Sequence, residues 1–243
     1  MPLVFTQFSK ACSSLFSLLF PRFCKGCGRR LTKGEAHVCV ECVRRLTREY
    51  AKDWTTNNRI ARYYELRQLQ KMGAFARYRR DSIAARIVQQ LKYHNHPELG
   101  EWMGRWAYME LADTGLFDGI DVIVPIPLTR RRLRHRGYNQ SELIALGISK
   151  ETGIPVNINV LRRTTYRKPQ ARTDINKRFD IEKIKGIFAL DTGAASLPPD
   201  THILLVDDVM TTGATMHAAM IPLQELQHVK FSTFAWAWTG VRA

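Results

Sequence analysis

The chain reads as an α/β protein with a mainly parallel sheet and a small cysteine-bearing module on its N-terminal side. Three observations lead there. Between residues 81 and 238, short apolar runs alternate with stretches of helical periodicity, the order that builds βα units. The run Ile203-Leu-Leu-Val206 ends in adjacent carboxylates, Asp207 and Asp208, and then in the hydroxyl-rich turn Thr211-Thr-Gly-Ala-Thr215, as a buried parallel strand delivering a ligand loop does. Four of the five cysteines stand in two C-x2-C pairs ahead of that alternation.

Taken in order, residues 11–20 are nearly all apolar or small. Ten residues are too few to span a bilayer, Lys10 precedes them in place of a basic cluster, and no small-residue cleavage site follows Pro21. A short docking helix is expected there, with no membrane span, and with it a cytoplasmic location. Cys12, within this stretch, is expected to be a buried core residue.

Cys24-Lys-Gly-Cys27 and Cys39-Val-Glu-Cys42 then form a C-x2-C-x11-C-x2-C arrangement. In a reducing compartment this spacing favours one tetrahedral zinc site on Cys24, Cys27, Cys39 and Cys42 over disulfides. Gly26 and Gly28 leave room for turns that aim backbone N–H groups at the sulfurs. Four thiolates leave zinc no open position, so the metal is expected to be structural. Lys25, Arg29, Arg30 and Lys33 surround it, and both stapling and DNA contact remain open for the module. Residues 1–50 are expected to form this unit and residues 51–243 the α/β domain.

Residues 51–72 are mixed and charged, with helical spacing of Ile60, Tyr63, Tyr64 and Leu66, and are expected to link the two. Residues 81–92 read as an amphipathic helix with a capping residue at its start, and residues 97–112 as another. Residues 121–126 form a strand; residues 138–150 form a helix with Leu143, Ile144 and Leu146 facing in. Strands at 156–161 and 186–190, the motif strand, a helix at 214–226 and a strand at 229–238 complete the order.

Two connections are expected to be functional loops. Residues 125–140 leave a strand end, carry five arginines and meet a helix N-terminus. Guanidinium forks at such a place suit phosphate oxygens. Residues 162–178 are long, polar and basic, with Arg167, Lys168, Arg172, Lys177 and Arg178, and read as a mobile lid.

Charge points the same way. The net charge is +15 and the pI about 9.9, but the excess is uneven: residues 128–178 carry thirteen Lys/Arg against three acids, and residues 1–50 nine against three. A solvated face is the plain account of a charge run, and this density favours phosphate binding over it. With 45% hydrophobic residues the chain has enough apolar content for a core, which excludes large-scale disorder.

The motif loop divides its chemistry in two. Thr211, Thr212, Gly213, Ala214 and Thr215 are able to wrap a phosphate with N–H groups and hydroxyls, because Gly213 permits close approach and a helix begins near Ala214. Asp207 and Asp208 repel phosphate but accept hydrogen bonds from vicinal ribose hydroxyls or from water on Mg2+. Four apolar residues, Asp-Asp, two apolar residues and Thr-Thr-Gly-x-Thr resemble the phosphoribosyl pyrophosphate (PRPP) motif of type I phosphoribosyltransferases. Receiver domains and Walker B strands share part of the pattern. The first needs a further run of domain after the acids, where 35 residues follow; the second needs a G-x-x-x-x-G-K-[ST] loop that the sequence lacks.

Over nearly its whole length the chain resembles the competence ComF family. The similarity is carried by Phe20-Pro21, the four-cysteine module, Leu91-Lys92-Tyr93, Val124-Pro125-Ile126-Pro127, Arg136-Gly-Tyr-Asn-Gln140, Gln170 eight residues before Arg178, Gly186-Ile-Phe188 and the PRPP motif. One departure is Ile181 or Lys183 where the family often has Asn. The resemblance implies a type I phosphoribosyltransferase kind of sheet that binds PRPP with Mg2+, in a competence protein assisting single-stranded DNA import alongside a helicase partner.

If the protein turns substrate over, the resemblance implies cleavage at ribose C1 with pyrophosphate leaving. Asp207 and Asp208 would be the catalytic pair that orients ribose, and Thr211, Thr212, Gly213, Ala214 and Thr215 would hold the 5′-phosphate. Lys92, Arg131, Arg132 and Arg136, with Lys168, Arg172 and Arg178 of the lid, are the pyrophosphate candidates. Such enzymes select a base with a hood beside the sheet, and only five residues follow Trp238, so the cysteine module would have to serve. Binding is therefore favoured over turnover, with an active phosphoribosyltransferase of unknown acceptor as the alternative.

Overall fold

The described chain runs α1 (Val40–Arg45), β1 (Leu69–Arg77), α2 (Ile83–Tyr93), α3 (Pro97–Leu111), β2 (Val122–Pro125), α4 (Arg130–Arg136), α5 (Gln140–Thr152), β3 (Leu161–Arg163), β4 (Phe188–Leu190), β5 (His202–Met210), α6 (Ala214–Leu223) and β6 (Lys230–Trp238). The computed structural model describes residues 21–49, 66–164, 184–226 and 228–240. The expected docking helix with Cys12, the helical spacing at Ile60–Tyr64 and lid residues 165–178 lie outside them.

Strands β1, β6, β5 and β2 form a parallel sheet in that order, so the motif strand β5 sits inside it. Alternate residues of β5 serve opposite faces, as the two-residue period of a strand requires. Leu204 and Val206 join Phe75, Ile123, Phe234 and Trp236 under α2, α3 and α5; Ile203 and Leu205 join Val122, Val124, Phe231 and Ala235 under α6. Burial on both faces explains why β5 begins as an unbroken apolar run. The α/β class with a parallel sheet and an N-terminal cysteine cluster is thus borne out.

The helices follow local signals. Ser82 caps α2, its Oγ accepting from Ala85 N at 3.1 Å, and Ile83, Ile87 and Leu91 give α2 a buried stripe. Pro97 opens α3, where a missing N–H costs nothing. Helices α3 and α5 cross at glycines: a Cβ on Gly104 would lie 2.1 Å from the Ile144 carbonyl oxygen, and one on Gly147 2.1 Å from that of Glu101. Trp236 locks α3 to the sheet through Nε1 donating to the Met103 carbonyl at 3.1 Å.

The cysteine module is joined to this frame by backbone. Arg77 N donates to the Thr47 carbonyl (2.8 Å) and Glu49 N to that of Phe75 (2.9 Å), so residues 47–49 run antiparallel beside β1. The Arg48 guanidinium lies over the Trp106 ring, 5.4 Å from its centroid, and its Nη2 is 2.6 Å from Glu110 Oε1.

Four element expectations are corrected. The link expected through residue 72 gives way to β1 at Leu69, whose run through Gly73, Ala74 and Ala76 has no apolar alternation and whose register is interrupted between Leu69 and Met72. The loop expected over 125–140 contains α4, capped by Thr129 Oγ1 on Arg132 N and closed at Gly137 in the left-handed region. The strand expected at 156–161 is a single bridge, Val156 to Ile123, then a turn in which Asn157 Oδ1 accepts from Asn159 N at 2.9 Å, before β3 pairs antiparallel with β4. Leu146, expected to face in, is 37% exposed, while Ile144 and Ile148 are buried.

Candidate functional site

Strand β5 carries the acid pair to the C-terminal edge of the sheet, where ligands of parallel sheets collect. Asp207 and Asp208 point to opposite sides of the strand, and each meets a different helix. Ser141 Oγ, in the first turn of α5, donates to Asp207 Oδ1 at 2.9 Å, and Asp208 N donates to the same oxygen at 2.8 Å. Lys92, near the end of α2, sets Nζ 2.9 Å from Asp208 Oδ2. Burial and the neighbouring Asp208 carboxylate push the Asp207 carboxyl up, to about 7, against the opposing pull of the Asp208 N–H, Ser141 and Lys92.

Beyond the acids, Thr211 and Thr212 are exposed, Gly213 takes φ +83° and α6 starts at Ala214. A left-handed residue at that position is what lets the chain turn sharply into the helix, and glycine adopts it without cost. Gly213 at the N-cap supplies no side chain, and Thr212 Oγ1 accepts from Ala214 N at 3.4 Å, so the exposed Thr211, Thr212 and Thr215 stand at the positive end of a ten-residue helix. Thr239 Oγ1 steadies the turn by donating to the Thr211 carbonyl at 3.2 Å.

The segments 91–93 and 136–140 interlock to place Lys92. Tyr138 Oη donates to the Leu91 carbonyl at 2.6 Å, the Arg136 guanidinium lies 5.3 Å from the Tyr93 ring centroid, and Arg136 Nη1 donates to Gln140 Oε1 at 2.8 Å. Asn139 caps α5 through Oδ1 on Ser141 N and ties it to the strand end through Nδ2 on the Ile126 carbonyl (3.1 Å). This scaffold explains the specific run Arg136-Gly-Tyr-Asn-Gln140: three of its side chains hold the lysine and serine that address the two acids.

Among the pyrophosphate candidates, Lys92 thus reaches the acid pair, and Arg136 is engaged with Tyr93 and Gln140. Arg131 and Arg132 are exposed on α4. Lys168, Arg172 and Arg178 lie outside the described residues. Two residues not singled out from the sequence also stand here. Ser141 binds Asp207 directly, and Arg163 of β3 feels the charges of both Arg132 and Asp207 while burial holds its guanidinium below its ordinary value. Arg163 stacks 5.0 Å from the Phe188 ring centroid. Neither carries a local sequence signal, since Ser141 touches Asp207 from α5 and Arg163 feels its charge from β3.

The four cysteines gather with their Sγ atoms all within 4.8 Å of one another. Cys27 Sγ and Cys39 Sγ are 3.7 Å apart. Tetrahedral Zn–S bonds of about 2.3 Å require S–S edges of about 3.8 Å, so the thiols fit a metal ion such as zinc. Backbone N–H groups of Gly26 and Cys39 point at Cys24 Sγ, at 3.3 and 3.2 Å, and that of Cys42 at Cys39 Sγ, at 3.4 Å, as the small residues in the turns allow. A Cβ on Gly26 would come within 2.9 Å of Cys42 Sγ. Burial pushes the Cys39 thiol up, but hydrogen bonds from the Cys42 N–H, Arg29 and Cys24 outweigh it and bring the thiol down to about 6; burial pushes Cys42 well up. Among the described residues no helix is long and apolar enough to cross a membrane.

Comparison with known proteins gives relatives with a common theme. The chain is 27% identical over 143 residues to competence protein F of Haemophilus influenzae, covering 58% of this chain and 61% of that protein. It is 28% identical over 133 residues to the DNA utilization protein YhgH of Escherichia coli K12, covering 54% and 56%. It is 32% identical over 114 residues to competence protein ComFC of Bacillus subtilis, covering 46% and 42%. No family model matches the chain. Among solved structures, adenine phosphoribosyltransferase from Leishmania tarentolae aligns with a TM-score of 0.38 and 12% identity, covering 68% of this chain and 91% of that one. The chain spans about half the length of the curated relatives it matches. It is a homologue of the competence F, YhgH and ComFC proteins, as the resemblance read from its motifs indicates.

Proposed function

We propose that the protein binds PRPP with Mg2+ at the C-terminal end of β5 and serves in the handling of incoming single-stranded DNA during natural transformation. The observation that carries the first half is the convergence at one strand end of Asp207, Asp208 and the Thr211–Thr215 turn at the start of α6. The acids suit ribose hydroxyls or Mg2+-bound water, and the turn suits the 5′-phosphate. The second half is supported by the names of the relatives, two of which are called competence proteins and one a DNA utilization protein.

In this reading Cys24, Cys27, Cys39 and Cys42 hold a structural Zn2+ in a module spanning residues 1–50, and residues 51–243 form the PRPP-binding domain. Free thiols in a metal-like cluster suit the cytoplasm, where a competence helicase would be the partner. An active phosphoribosyltransferase is the second reading. Lys92 on Asp208 supports it, as a cationic group beside the acid pair that would face a departing pyrophosphate.

Calorimetry with PRPP and Mg2+ tests the assignment. Binding is expected in the native protein and is lost on combining Asp207→Ala with Asp208→Ala. No heat from the native protein overturns the site. Pyrophosphate release across a panel of nucleobases and amines would replace the binding role by the enzymatic one.

A further inference from the structure

Two cavities run along the seam where the cysteine module meets α2, and they share one wall. The first, of about 480 Å³, is lined by Arg45, Arg79 and Arg80, together with Arg77 on the end of β1. The second, of about 520 Å³, lies between the Cys24–Gly28 turn and α2, with Lys25 in its lining. Arg86 lines both. Its Nε donates to the Gly26 carbonyl and its Nη1 to that of Asp81 at 3.1 Å, so a single guanidinium ties module to helix at the junction of the two.

The charges along this seam are nearly all of one sign. Arg45, Arg79 and Arg80 are exposed and form no ion pair among the described residues, and Asp81 is the only described acid lining either cavity. Arg77 is already matched by Glu49, at 3.0 Å, and Lys25 Nζ rests 2.7 Å from His96 Nε2. A single small anion is held by donors that converge on one point. Here Arg45, Arg79, Arg80 and Arg86 line the first cavity together, and Arg86 and Lys25 carry the positive lining on into the second, which suits a ligand whose charges extend beyond one site. Each cavity is of the size that takes a small molecule, about 300–1,000 Å³, which admits the units of a flexible strand.

We infer that this seam is a track for a single-stranded nucleic-acid backbone, with phosphates on Arg45, Arg79, Arg80 and Arg86. The inference rests on the DNA-handling half of the function proposed above and is independent of the PRPP half, because none of the motif residues lines either cavity. The track and the motif loop nevertheless share an edge. Between Arg77 on β1 and the end of β5 lies only β6, a span of about 10 Å at ordinary strand spacing. The end of β6 and the residue after it bridge it: the Arg77 guanidinium lies 5.5 Å from the ring centroid of Trp238, the last residue of β6, and Thr239 donates to the Thr211 carbonyl.

Fluorescence anisotropy with a labelled single-stranded oligonucleotide, titrated over a range of salt, tests the track. Combining Arg79→Ala with Arg80→Ala is expected to weaken binding at least tenfold at low salt and to reduce the slope of log K against log salt by about 1.4, from about 0.7 for each phosphate left without its arginine. The control combines Arg105→Ala with Lys150→Ala, which removes the same charge from the outer faces of α3 and α5. Unchanged affinity in the first variant, or an equal loss in the control, overturns the inference. So does binding of inorganic polyphosphate that depends on Arg79 and Arg80 when the oligonucleotide does not bind. Calorimetry with PRPP on the same variants is expected to be unchanged, so failure of the track and failure of the PRPP site are read separately.

Discussion

Lys92 Nζ stands 2.9 Å from Asp208 Oδ2 at the end of the motif strand. The contact links a helix on one face of the sheet to the acid pair, and its setting is maintained by the residues on either side of it, Leu91 bonded to Tyr138 and Tyr93 beneath Arg136. Because Asp208 is nearly buried, removing the lysine leaves an acid with its charge uncompensated. Lys92→Met is expected to cost about 1–3 kcal/mol, between the values for exposed and fully buried pairs, and combining it with Asp208→Asn is expected to recover part of that loss. Urea unfolding of the single and double variants measures it; an unchanged midpoint for Lys92→Met would show that the pair carries no stability.

The raised carboxyl of Asp207 makes stability depend on pH. Its folded value near 7 exceeds the ordinary 3.8, so the folded state binds the proton more tightly. The contribution is therefore fully present below about pH 4 and is lost as pH rises through 7. Asp207→Asn is expected to flatten the fall in urea midpoint between pH 4 and 7. PRPP with Mg2+, which needs the ionised acid, is expected to bind more tightly as pH rises through the same window. A native midpoint that changes identically in the variant contradicts the assignment.

Metal removal is expected to reach beyond the module. Cys24, Cys39 and Cys42 belong to the same hydrophobic cluster as Phe75, Ile83 and Ile87. One zinc per chain is expected by atomic absorption, and Cys42→Ser is expected to abolish it. Loss of the ion is expected to lower stability by at least about 3 kcal/mol, or roughly 6–12 °C in melting temperature for a chain of this length. A chelated protein that melts with the native one refutes a structural metal.

The crossing of α3 on α5 tolerates no side chain at two positions. Gly104→Ala and Gly147→Ala would each bring a methyl group against a backbone carbonyl that has no rotamer by which to escape. Each is expected to destabilise by at least about 2 kcal/mol. Chemical denaturation decides it, and a near-neutral result would mean that the helices slide apart readily.

The sequence made the motif strand legible because burial on both faces leaves a continuous apolar run, and the acids stand out where the run stops. The cysteine cluster was equally legible, since spacing alone brings such pairs together. Strand β1 was not: Gly73, Ala74 and Ala76 are small enough to be packed on either face, so neither period appears, and Leu116 fills the space above Gly73. Helix α4 had both of its signals, Thr129 at the start and Gly137 at the end, but its arginines favoured a loop reading. Ser141 and Arg163 were beyond reach for another reason. Their value lies in proximity to Asp207, 66 residues away for Ser141, which only the finished sheet creates.

The strand order has a consequence for synthesis. Strand β6 lies between β1 and β5, yet it follows both in the chain. Until residue 238 has left the ribosome, the half carrying the cysteines and the half carrying the acid pair have no hydrogen-bonded connection through the sheet, and each presents an open edge. The nascent protein must therefore hold two unfinished halves apart from other chains, with metal capture by the cysteines available early and the motif loop completed last.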